Sequence, residues 1–172
     1  MKKILFIGMM MLAVVSANAQ DAAKKSKKEL KAEKKAQKLE DINSIIESKT
    51  FVFKANNAYP MRGRTINLTS PYEVKVTADS IFSYLPYFGV AYSVDYGSTE
   101  SPMIFDQPFE TCDVEKTKNG NRIKVSVKNG SDRLDFSFHI SETGSTSLNV
   151  SSINRQAISY NGNIEKIEEK VK

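Results

Sequence analysis

The stretch RIKVSVKNGSDRLDFSFHI, Arg122 to Ile140, decides the fold. Ile123, Val125 and Val127 alternate with Lys124, Ser126 and Lys128. Leu134, Phe136, Phe138 and Ile140 alternate with Arg133, Asp135, Ser137 and His139. A period of two sends successive side chains to opposite faces of a strand, so each run has one apolar face and one wet face. Asn129-Gly130 between them is a strong signal of a tight reversal. The stretch reads as a β-hairpin with one buried face.

The same period continues on both sides. Tyr72, Val74 and Val76 alternate with Glu73, Lys75 and Thr77, and Ile66 and Leu68 precede them across an expected turn at Ser70-Pro71. Asn119-Gly120, Glu142 to Ser145 and Asn161-Gly162 mark further expected reversals. Strand segments are read near 51–55, 64–69, 72–78, 80–85, 103–106, 110–118, 121–128, 132–141 and 145–151, with a last one near 156–160. Short loops between sequential strands imply antiparallel neighbours. A long antiparallel meander tends to close, because closure removes exposed edges. The expectation is a mainly β fold over residues 50–165, an antiparallel meander closing into a small lipocalin-like barrel. A two-sheet sandwich is the alternative.

Upstream the period changes to 3.6. Residues 20–49 form a Lys-rich helix or arm, amphipathic in its second half, where Leu39, Ile42, Ile45 and Ile46 share a face. Residues 21–40 hold eight Lys against Asp21, Glu29, Glu33 and Glu40. Residues 41–172 hold fifteen basic and sixteen acidic side chains. The net charge of +5 is thus not a property of the β region. A nucleic-acid partner would need a basic face on the folded part and is not expected. Residues 1–19 read as a signal peptide: Lys2 and Lys3, an apolar run from Ile4 to Val15, then Ala17-Asn18-Ala19. The expected location is exported, periplasmic or cell-surface associated, with no transmembrane segment after signal removal. Residues 166–172 read as a C-terminal tail.

Candidate chemistry is sparse. His139 and Cys112 are the only His and Cys, and they fall in opposite strand phases, so no metal or other cofactor is expected. Ser137 and His139 share a strand face without a Gly-x-Ser-x-Gly turn, which a solvated face explains better than a triad. Asp95, Asp106, Glu110 and Asp113 are the acids from which a carboxylate pair for hydrolysis would come. The least ordinary segment is Ser83-Tyr-Leu-Pro-Tyr-Phe-Gly-Val-Ala-Tyr92. Pro86 cannot donate to a ladder, so the strand must break there. Tyr84, Tyr87, Phe88 and Tyr92 are candidate ligand-binding residues at a barrel entrance, or else the rings fill that end. Arg62 and Arg64 flank Gly63, and Arg155 interrupts an apolar alternation. The three are candidates for an anionic group or for pairing with acids such as Asp106.

Met61 to Leu68, Ser83 to Tyr92, Met103 to Asp106 and Ser152 to Gly162 together resemble an exported Bacteroidetes family catalogued as "domain of unknown function 4251". The resemblance covers about residues 45 to 165. It implies a periplasmic or surface location and a mainly β fold, and it assigns no catalytic residues. The expected function is a non-catalytic exported binding or structural module of the cell envelope. Its partner would be a small apolar or amphipathic ligand held at one end of the barrel, or an envelope component. The alternatives are an envelope interaction protein using its Lys-rich arm, and a hydrolase with loop carboxylates.

Overall fold

The computed structural model describes residues 27–93 and 101–167. The expected signal peptide and the end of the tail lie outside the described residues. A helix, α1 (Lys27–Ser48), is followed by eight strands: β1 (Phe51–Pro60), β2 (Ile66–Val76), β3 (Ser80–Tyr84), β4 (Ile104–Thr117), β5 (Gly120–Asn129), β6 (Asp132–Ile140), β7 (Ser145–Ser152) and β8 (Ile158–Glu165). Each strand pairs antiparallel with the next, and β8 returns to β1 to close a barrel. The closing seam runs from Val52 opposite Glu165 to Pro60 opposite Ile158. The sandwich alternative is thereby set aside.

The deciding hairpin holds its expected register, with Val125 opposite Phe136 and Asn129 opposite Asp132. Its apolar residues point inward and are fully or almost fully buried. Phe51 and Phe53 meet Phe138 edge-on at 5.1 and 5.9 Å between ring centres, and Phe136 meets Phe105 at 6.0 Å. Such edge-to-face pairs add about 0.5–1.5 kcal/mol each beyond area burial. Phe51, Phe53, Phe136, Phe138 and Tyr160 fill the interior with their rings.

Three expectations are corrected. Ser70-Pro71 is not a turn: β2 runs through it, and Ala55 opposite Tyr72 gives way to Asn57 opposite Asn67. The extra β2 residues form a bulge, where Pro71 needs no ladder hydrogen bond. The segments 103–106 and 110–118 are one strand, with Pro108 opposite Ser80 and a register shift between Phe109 and Thr111. Asn161-Gly162 is no reversal either, because β8 continues to Glu165. A Cβ on Gly162 would lie 1.9 Å from the Lys54 carbonyl oxygen, so this glycine permits close approach across the closing seam.

The chain up to Ala36 and the chain from Gln37 form two compact units. In the first, Glu29 to Ala36 of α1 are exposed throughout. In the second, Ile42 and Ile45 are buried in the core and Ile46 packs partly against it. Each such isoleucine contributes about 1.5–3 kcal/mol through burial. Leu39, expected on the same buried stripe, is exposed. Lys49 ends the helix with φ +52° and donates its ammonium to the Cys112 carbonyl at 3.1 Å. The part of the helix from Gln37 onward therefore sits at the barrel end where β1 begins, and the opposite end carries the β1–β2, β3–β4, β5–β6 and β7–β8 connections.

Candidate functional site

The site is built on the barrel end opposite the start of β1. β3 stops at Tyr84, two residues before Pro86, which has no N–H to extend the ladder. Leu85 then donates its N–H to Met103 O at 3.2 Å, and buried Ser83 donates its hydroxyl to the same oxygen at 2.7 Å. Leu85 and Met103 are fully buried and close the barrel end. From there the chain crosses to the β7–β8 connection. Tyr160, inside the barrel, donates its hydroxyl to Pro86 O at 2.7 Å. Burial pushes the Tyr160 phenol well above its ordinary range, and nearby Tyr87 pushes it the same way.

Tyr87 lies back along this crossing, its hydroxyl 3.0 Å from Gln156 O and 3.1 Å from Val90 O. A Cβ on Gly89 would sit 2.4 Å from that hydroxyl, so only glycine leaves room for the ring. Desolvation raises the Tyr87 phenol and the Arg155 charge partly offsets it. Backbone bonds complete the join: Gln156 N to Val90 O at 3.0 Å, Tyr92 N to Asn154 O at 2.7 Å and Ser93 N to Asn154 O at 3.3 Å. Ala91 bridges Arg155.

Below this platform lies an ion pair. Arg155, whose side chain is 13% exposed, donates to Asp132, whose side chain is 5% exposed. Ser152 presents its hydroxyl to the two Asp132 carboxylate oxygens, at 2.9 and 2.8 Å, and accepts the Asn154 N–H at 3.0 Å. The β5–β6 hairpin is thus tied to the β7–β8 connection.

Above the platform the surface is apolar. Among the described residues, eight of the eleven exposed large hydrophobic side chains lie at this end: Tyr59, Met61, Tyr84, Phe88, Val90, Tyr92, Ile104 and Ile153. Met61 is 68% exposed, Tyr92 69% and Ile153 67%. A concentration of large exposed hydrophobic side chains at one end is the kind of surface used for interaction. Arg62 and Arg64 are exposed on the β1–β2 connection beside it.

The sequence matches, over residues 33–164, the family described as "Domain of unknown function (DUF4251)". The chain belongs to this family. A crystal structure of a DUF4251 family protein from Bacteroides eggerthii DSM 20697 is similar in fold, with a TM-score of 0.56 and 16% identity, covering 76% of this chain and 89% of that one. No curated protein matches.

In this DUF4251 chain the expected site residues divide into two groups. Tyr84, Phe88, Tyr92, Arg62 and Arg64 lie exposed at the loop-bearing end. Tyr84 stacks on Tyr72 with ring centres 5.5 Å apart. Tyr87 and Arg155 are fastenings beneath that surface, and the acid that Arg155 meets is Asp132, not Asp106. Of the proposed carboxylates, Asp95 lies outside the described residues. Asp106, Glu110 and Asp113 are exposed and strung along β4, with Glu110 3.7 Å from Arg133. His139 is exposed, 3.4 Å from Ser137 Oγ, and its other nitrogen accepts from Arg122 rather than facing a carboxylate. Desolvation, with the charges of Arg122 and Lys124, holds the imidazole below its ordinary range. Cys112 faces inward opposite Val125 but is half-buried, not fully buried, because β3 pairs β4 only as far as Pro108. Desolvation raises its thiol, against the pull of Lys49. Among the described residues, no group of His, Cys, Asp and Glu is arranged to hold a metal ion. Asp132 and Ser152 were not singled out in the sequence. The available signal was phase: Asp132 falls on the apolar phase of Leu134 and Phe136, where an acid needs a buried partner.

Proposed function

We propose that this protein is a non-catalytic, exported binding module of the cell envelope that takes an amphipathic ligand on the outside of its loop-bearing end. The observation that carries the reading is the gathering of exposed apolar side chains there, on a platform fastened by buried hydrogen bonds and an ion pair. Ligand capture inside the barrel, as in lipocalin-like carriers, is not favoured, because aromatic rings occupy the interior. Export is supported by the sequence of residues 1–19. Among the described residues no helix is long and apolar enough to cross a membrane.

Anilinonaphthalene sulfonate, an anionic amphiphile, tests the reading by fluorescence titration. The full chain is expected to bind it, and the Val90→Asn/Ile153→Asn variant to bind at least tenfold more weakly with unchanged circular dichroism. Absence of binding, or equal binding by that variant, overturns the reading.

A further inference from the structure

The four most exposed apolar side chains at the loop-bearing end come from three separate connections. Met61 stands on β1–β2, Val90 and Tyr92 on β3–β4, and Ile153 on β7–β8. Because Pro60 pairs with Ile158, the first and third connections are neighbours. The hydrogen bonds from Tyr92 and Ser93 to Asn154 and from Gln156 to Val90 join the second to the third. These side chains are therefore presented together by a preorganised backbone, which lowers the ordering cost of binding. The most exposed of them are mainly aliphatic tips rather than flat rings. Such tips suit entry into a fluid apolar phase better than stacking on a planar or saccharide ligand.

Charge supplies the second observation. Of the five arginines, Arg122, Arg133 and Arg155 face acids within 4 Å. Arg62 and Arg64, beside Met61, are exposed and form no ion pair among the described residues. Of the acids near that end, Asp132 is committed to Arg155 and Glu73 lies 2.6 Å from Lys75. Asp106 is exposed on β4, and Asp95 and Glu100 lie outside the described residues. An arginine fork matches phosphate geometry in a way a lysine ammonium does not.

We infer that this end docks on a lipid leaflet bearing anionic phosphate headgroups, with Met61, Val90, Tyr92 and Ile153 entering the headgroup–acyl boundary and Arg62 and Arg64 meeting the phosphates. The inference rests on the proposed binding surface and names its occupant. The filled interior means that the lipid stays in its leaflet rather than being extracted into the barrel.

Cosedimentation of residues 20–172, the chain after signal removal, with vesicles of phosphatidylcholine alone, and of phosphatidylcholine mixed with phosphatidylglycerol, tests it. Preferential pelleting with the mixed vesicles is expected, weakening as salt rises. Each arginine near an anionic surface is worth roughly fivefold, so R62Q/R64Q is expected to bind roughly 25-fold more weakly. R122Q, far from this end, is expected to leave binding unchanged. Absence of pelleting, or equal pelleting with both vesicle types, overturns the inference. Unchanged binding by R62Q/R64Q also overturns it and assigns the contact to the lysines of residues 21–40. If vesicles fail while the anionic dye still binds in a Val90- and Ile153-dependent way, the lipid inference falls and the binding surface stands. If both fail, both fall.

Discussion

Replacing Asp132 with Asn should cost more than any other single polar substitution at the loop-bearing end. Asp132 is 5% exposed and its carboxylate faces Arg155 and the Ser152 hydroxyl. The substitution leaves the Arg155 guanidinium, only 13% exposed, without its counter-charge. Removing one partner of a buried pair costs about 3–5 kcal/mol. Arg155 lies at the barrel rim, where some water reaches it, so the lower figure applies, about 3 kcal/mol. For a domain of this size that is roughly a 10 °C fall in Tm. Urea unfolding followed by far-UV circular dichroism measures it. The Asp132→Asn/Arg155→Gln variant should lose less than the sum of its single variants, with a coupling energy of about 1.5–3 kcal/mol. Hydrogen exchange should show the damage as local first: the Tyr92 and Gln156 amides lose protection before those of β5 and β6. Single variants that each cost under about 1 kcal/mol, or strictly additive ones, would show that the pair does not fasten the platform.

Other consequences are measurable on the same protein. Gly162→Ala forces a Cβ against the Lys54 carbonyl oxygen and should destabilise the closing seam by about 3 kcal/mol or more, or prevent folding; a neutral result in urea unfolding would contradict the β1–β8 register. Alkaline stability should fall above about pH 10, because the unfolded chain releases the Tyr160 proton while the buried phenol keeps it. The slope from this group is about 1.4 kcal/mol per pH unit, and Tyr160→Phe should remove it while costing about 1 kcal/mol near neutral pH for the lost bond to Pro86 O. Ile45→Ala should cost about 2–4 kcal/mol, whereas Leu39→Ala should cost under about 0.5 kcal/mol, since only the first is buried; equal effects by thermal unfolding would mean that the helix docks differently.

The alternation from Ile123 to Ile140 was legible because one face of each strand is buried and the other wet, so a one-residue slip would expose every phenylalanine. Ser70-Pro71 and Asn161-Gly162 misled for a shared reason. Proline and glycine stop a strand when they form a turn, but they also occur inside strands, at a bulge or where backbones approach closely. A single sequence does not separate these uses, since the deciding neighbour, Lys54 for Gly162, is distant along the chain. At the candidate site, the strand break at Pro86 and the clustering of rings there could be read directly, but whether the rings are exposed or fill the barrel end could not. The division of labour could not: Tyr87 and Tyr92 look alike in sequence, yet the first is tied to Gln156 O and the second is 69% exposed. Arg155 was recognisable as an interruption, but its partner across the barrel end was not.

The proposed binding takes place on the outside of the loop-bearing end and not within the barrel. Amide chemical-shift mapping with a short-chain phosphatidylglycerol below its micelle concentration tests this directly. Shifts confined to residues 61–64, 84–92 and 153–156 are expected, with Ile123 to Val127 and Leu134 to Phe138 unmoved. Shifts concentrated in those core strands, or along α1, or none at all, would contradict it.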